Sequence, residues 1–86
     1  MSERNDRQKL LDRICVDPSV MVGKPVVRGT RMPVYLVVQM LGSGISAEEI
    51  LADHPGLTAD DVRACLLYAA DALETSAVPP AHAAAH

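Results

Sequence analysis

Ile45-Ser46-Ala47-Glu48-Glu49-Ile50 returns twelve residues later as Leu57-Thr58-Ala59-Asp60-Asp61-Val62, position for position. Each copy reads as the start of a helix. Ser46 and Thr58 are N-cap residues, and an acid stands three positions on, Glu49 in one and Asp61 in the other, as a capping box requires. Ile45 and Leu57 precede the caps as hydrophobic staples to Ile50 and Val62. The acids of each first turn also oppose the positive end of the helix dipole. His54-Pro55-Gly56 stops the first helix. The pattern predicts helices over about 47–53 and 59–74.

Upstream, Pro33 suits a first helical turn, where its missing N–H costs nothing, and Gly42-Ser43-Gly44 closes the run. Between them Val34 to Leu41 is apolar except for Tyr35 and Gln39. Eight residues so rich in Val also fit a buried strand, but Pro33 and Gly42 favour a helix over about 33–42. A helix apolar on nearly every side is expected to be buried on every side. On the last helix Val62, Leu66, Ala69 and Leu73 form a core stripe, extended by Cys65 and Ala72. Leu67 falls on the far side, beside Arg63, Asp71 and Glu74, and is a candidate interface residue.

Before Pro33 the period is two. Ile14 and Val16 alternate with Arg13, Cys15 and Asp17, and Asp17-Pro18-Ser19 is turn chemistry. Val26-Val27 is bracketed by Gly23-Lys24-Pro25 and Arg28-Gly29-Thr30. Two short strands are predicted, near 13–16 and 26–28. Such a pair is marginal alone and leaves unpaired edges. The expectation is a homo-oligomer, a dimer or higher, joined in part through Ile14, Val16, Val26 and Val27, with Leu67. Residues 1–12 read as a mobile arm, 13–74 as the domain, and 75–86 as a disordered tail rich in Ala, Pro and His.

The chain has 86 residues, enough for one small domain, and 49% are hydrophobic. With no Trp or Phe, its core has to be built from Val, Leu, Ile, Met and Ala. No apolar run approaches the roughly 20 residues of a membrane span, and the polar start is no signal peptide. The reading is a cytoplasmic protein. Cys15 and Cys65 make neither a metal spacing nor a disulfide framework. His54 lies in a turn, and His82 and His86 in the tail, so no catalytic constellation forms and neither metal nor cofactor is expected. An enzyme is disfavoured.

The net charge of −3 conceals a segregation. Residues 1–31 hold seven bases and four acids, whereas residues 32–86 hold one base, Arg63, and seven acids. Such asymmetry marks a partner-binding segment. The candidate for polyanion contact is Gly23 to Arg31, with Lys24, Arg28, Thr30 and Arg31 as its residues. Glycines there permit close backbone approach, although the order of a phosphate-binding P-loop is absent. A plain hairpin with solvated bases, Gly29 at positive φ and Thr30 as a cap, accounts for the same residues. Three helices with two caps resemble a helix-turn-helix. Its last helix, however, opens Thr58-Ala59-Asp60-Asp61, and two carboxylates facing phosphates would oppose entry into the major groove.

Arg13-Ile14-Cys15-Val16-Asp17-Pro18, then Gly23-Lys24-Pro25-Val26-Val27-Arg28-Gly29-Thr30-Arg31-Met32-Pro33-Val34, resembles the domain of unknown function 433 family. Ser46, Glu49-Ile50-Leu51, Pro55, Leu57-Thr58 and Ala69-Ala70-Asp71 fit the same pattern. The resemblance covers about three-quarters of the chain. It implies a mainly α fold: a short N-terminal β-strand pair followed by a trihelical, homeodomain-like or winged-helix-like bundle. It also implies a Vap-type antitoxin of a type II toxin-antitoxin pair, which binds and inhibits a PIN-like ribonuclease toxin and can contact its promoter DNA. The alternative is a non-catalytic, oligomerising adaptor that binds no nucleic acid. The segment 75–86, with no Lys, Arg, Asp or Glu after Glu74, departs from the charged tails with which antitoxins wrap toxins.

Overall fold

A computed structural model describes residues 3–19 and 23–75. The elements run α1 (Glu3–Leu11), β1 (Ile14–Val16), β2 (Pro25–Val27), α2 (Val34–Gly42), α3 (Ala47–Asp53) and α4 (Ala59–Thr75). The protein is mainly helical, with one antiparallel strand pair near the N-terminus. The three helices read from the caps are present within a residue or so of their expected limits. The disordered tail expected over residues 75–86 lies, apart from Thr75, outside the described residues.

The strands pair in the register Ile14↔Val27, Cys15↔Val26 and Val16↔Pro25. At their N-terminal link, Asp17 Oδ1 accepts from the Ser19 backbone N–H at 2.9 Å and its hydroxyl at 2.8 Å. These bonds hold the Asp17 carboxyl below its ordinary pKa of 3.8. The chain leaves β2 through Gly29 at φ +81° and enters α2 at Pro33, which is the extended N-cap residue rather than part of the first turn. At the far end of α2, Gly44 at φ +95° closes the helix. The Ile45 N–H reaches the Met40 carbonyl at 3.0 Å and the Gly44 N–H reaches that of Leu41 at 3.1 Å, the paired bonds of a Schellman motif.

The interior is aliphatic, as the lack of Trp and Phe requires. Val27, Val37, Ile50, Ala64 and Cys65 are its most deeply buried residues. Burying a side chain the size of Ile50 or Val37 contributes roughly 1.5–3 kcal/mol. The strand pair lies against α2 and α4, so its inward face belongs to the same core.

Four expectations are corrected. Residues 3–11, read as part of a mobile arm, form α1, which packs on α4; the described residues therefore hold four helices and not three. Their composition is favourable to a helix, but only Leu10 and Leu11 are apolar, too few for an amphipathic stripe. What docks α1 is Leu10, buried in the core, and an ion pair from Arg7 to Asp71.

Second, α2 is not buried all round: Val34 and Val37 are interior, whereas Tyr35 is 53% exposed. Third, α4 is rotated from the expected stripe. Asp61, Val62, Ala64 and Cys65 face inward, Leu66 and Leu73 are exposed, and Leu67 packs half-buried against the core. Fourth, Ile14, Val26 and Val27 are buried within the single chain. Their side chains serve its core and are not free for an oligomer interface; of the four strand residues named for that role, Val16 is the exposed one.

Candidate interaction site on the β2 to α2 segment

Positive charge on the folded chain is distributed by what already answers it. Arg7 pairs with Asp71, Arg63 with Asp60 at 3.5 Å, and Arg13 with Asp61 at 3.1 Å and Asp60 at 3.7 Å. The basic N-terminal region and the acidic α4 thus neutralise one another within the molecule. Among the described side chains, Lys9, Lys24, Arg28 and Arg31 have no carboxylate at ion-pair distance. Three of these four lie within residues 24–31.

Each is held differently. Lys24 follows Gly23, whose φ of +80° turns the chain into β2, and its ammonium lies 5.1 Å from the centroid of the Tyr35 ring. That cation–π contact is worth about 0.5–1 kcal/mol at an exposed site. Arg28 sits just past β2, where its Nε donates to the Asp12 carbonyl at 2.9 Å. This bond fixes one edge of the guanidinium and leaves both terminal nitrogens for a partner.

Thr30 is a structural staple. Its hydroxyl donates to the Val27 carbonyl at 2.8 Å and accepts from the Met32 N–H at 3.0 Å. Arg31 is exposed at the rim of a cleft of about 420 Å³ whose walls include Met32, Pro33, Leu36, His54 and Leu57. The three cations are therefore spread along one strand and its turn, not gathered at a point.

Asp61, read from the sequence as the capping partner of Thr58, does more than cap: its side chain is 8% exposed. Oδ2 accepts from the Thr58 N–H at 2.9 Å and Oδ1 from Arg13 at 3.1 Å. The argument that two carboxylates would repel phosphates at the start of α4 therefore retains only Asp60. The spacing Thr58-x-x-Asp61 signalled the cap; nothing local signalled Arg13, forty-eight residues away. Burial, aided by the Asp61 charge, pushes the Cys65 thiol from 9.0 up to about 11. It therefore stays protonated near neutrality, and the thiolate is the reactive form.

Among the described residues, no three His, Cys, Asp or Glu side chains are grouped to hold a metal ion. Nor is any described helix long and apolar enough to cross a membrane.

The class defined by this architecture is a small helical domain carrying a strand pair and a basic turn. The chain belongs to the family described as "Protein of unknown function (DUF433)", whose sequence model matches residues 14–69. The match begins at β1 and ends within α4, leaving α1 outside it. A solved structure of a DUF433 member protein from Anabaena variabilis is similar, with a TM-score of 0.70 and 34% identity, covering 86% of this chain and 79% of that one. The uncharacterized protein y4eO of Sinorhizobium fredii is 39% identical over 69 residues. That match takes in 79% of this chain but 31% of y4eO, so the chain spans less than a third of that relative. An uncharacterized protein of Archaeoglobus fulgidus is 62% identical over 24 residues, 28% of this chain and 67% of its own length.

Proposed function

We propose that this chain is the antitoxin of a type II toxin-antitoxin pair: a non-catalytic, cytoplasmic protein that binds and inhibits a PIN-like ribonuclease toxin and contacts promoter DNA. The observation that carries the reading is the row of uncompensated cations on residues 24–31, in a chain whose Arg7, Arg13 and Arg63 are paired internally. A metal-dependent nuclease holds its cations with clustered carboxylates, so its mouth attracts such a row. Arg28, anchored through Nε, offers its terminal nitrogens to one carboxylate as a fork. Arg31 supplies a second fork and Lys24 a point charge. Promoter phosphates would engage the same row, in a salt-dependent way.

The experiment is RNA cleavage by the purified nuclease of a neighbouring gene, titrated with this protein. Arg28→Ala and Arg31→Ala should each weaken inhibition by at least roughly tenfold, since truncating one partner of a desolvated charge pair costs about 2–5 kcal/mol. Arg63→Ala should change it little. Inhibition that survives loss of both Arg28 and Arg31 would defeat the reading.

A further inference from the structure

We propose that a second copy of this chain covers the exposed face made by the C-terminal half of α4 and the adjoining edge of α2, with the two α4 helices antiparallel about a two-fold axis between residues 69 and 70. The interface does not rest on the toxin reading; Lys24, over the Tyr35 ring, lies at its edge.

The face is apolar where a lone domain should be polar. Leu73 is 73% exposed, Tyr35 53% and Leu66 45%. Between α2 and α4 runs a cleft of about 410 Å³ whose walls, Pro25, Tyr35, Val38, Tyr68, Ala72 and Leu73 among them, carry no charged side chain. Leu66 and Leu73 are two turns apart, about 10.5 Å along the axis, and continue the side of α4 that Val62 begins, where Val62 is buried but the two leucines are not covered. Among the described residues each is an apolar group at helical spacing that the fold leaves largely uncovered, Leu73 more than Leu66.

Three features select a second copy as the occupant. Reversing α4 about an axis between residues 69 and 70 sets Leu66 of one copy opposite Leu73 of the other, twice, so the two leucines cover each other. Ala69 and Ala70 then lie at the crossing, where small side chains let helix axes approach to about 8 Å.

Charge is the third feature. Arg63 and Glu74 are eleven residues apart, which returns to nearly the same side of a helix, and both lie on one flank of the exposed stripe. The two-fold axis brings Arg63 of each copy, which at 66% exposure can reach beyond its own Asp60, within two residues of Glu74 of the other, so α4 is complementary to itself reversed. A parallel arrangement would instead stack like charges along a chain that is already net negative. A two-fold contact of this kind is isologous and closes on itself.

The test is sedimentation and light scattering of the full 86-residue chain. The wild type should have twice the 9.2 kDa mass of one chain. Leu73→Glu and Leu66→Glu replace exposed residues, so helix content by circular dichroism should hold while self-association weakens by roughly thirtyfold or more, as for a buried hot spot. Arg63→Glu should weaken the dimer, and adding Glu74→Arg should restore it. Ala70→Cys, next to the two-fold axis, should give a covalent dimer under mild oxidation, whereas Ser43→Cys should not.

A monomeric wild type overturns the proposal, whether residues 76–86 or an unlike protein covers the face. So does a dimer indifferent to both leucine substitutions, or a double charge swap no better than the single one.

Discussion

The starts of α3 and α4 carry the same code and meet different fates. At Ser46 the box is local: the hydroxyl accepts from the Glu49 N–H at 3.1 Å, the Glu49 carboxylate accepts from the Ser46 N–H at 3.1 Å, and both residues lie exposed. At Thr58 the same reciprocal pair forms, the Asp61 N–H reaching the hydroxyl at 3.2 Å and the Thr58 N–H the carboxylate at 2.9 Å. Here the acid is buried, and its second oxygen accepts from Arg13, the residue that links α1 to β1. One cap shapes its own helix; the other also latches the N-terminal segment to α4. A local motif therefore states that a helix begins, while its energetic weight depends on what the fold lays over it.

The comparison breaks most sharply at Asp61. Asp61→Ala removes a cap and leaves Arg13 only the longer pair to Asp60 at 3.7 Å, and should destabilise the fold by about 3 kcal/mol in urea unfolding. That value is at the low end for a broken buried pair because Arg13 remains partly solvated. A loss no greater than that of Glu49→Ala would mean the two boxes are equivalent after all.

Arg13→Ala comes next, at about 1.5 kcal/mol, since Asp61 keeps its bond from Thr58. A double-mutant cycle of Arg13→Ala with Asp61→Ala should show coupling of at least about 0.5 kcal/mol, whereas Arg13→Ala with Ser46→Ala should be additive. Additivity in the first cycle would dissolve the latch.

The smallest effects belong to the exposed box. Ser46→Ala should cost about 1 kcal/mol and Glu49→Ala less, with hydrogen exchange quickening only around α3. Exchange that also quickens in α1 would show that the boxes communicate.

What was legible in the sequence was whatever neighbours in the chain decide. Ser46 and Thr58 set two helix starts, Pro33 the third, and Val26-Val27 bracketed by turns the second strand. Thr30 and Gly29 follow the hairpin account of their segment, the one by its hydroxyl bonds and the other by its positive φ. Three features were not legible. The first is α1, because Glu3 to Lys9 has no apolar period and its dock depends on Asp71, sixty-four residues from Arg7. The second is the facing of α4: Leu66 and Cys65 are adjacent apolar residues, and only the neighbours of the helix choose which one turns inward. The third is the role of Ile14, Val26 and Val27, whose burial depends on α2 and α4 lying behind the strands.

The sequence by itself determined which segments become helices and strands, because capping, turn chemistry and side-chain period act over a few residues. It also determined that the core is aliphatic and that Lys24, Arg28 and Arg31 share one short segment. Only the tertiary structure decided which charges cancel and which remain. Arg7 and Arg13 met carboxylates of α4 when the chain closed on itself, and Lys24, Arg28 and Arg31 did not. An ion pair depends on distance in space, which pairing and packing of the elements create and which separation along the chain does not reveal.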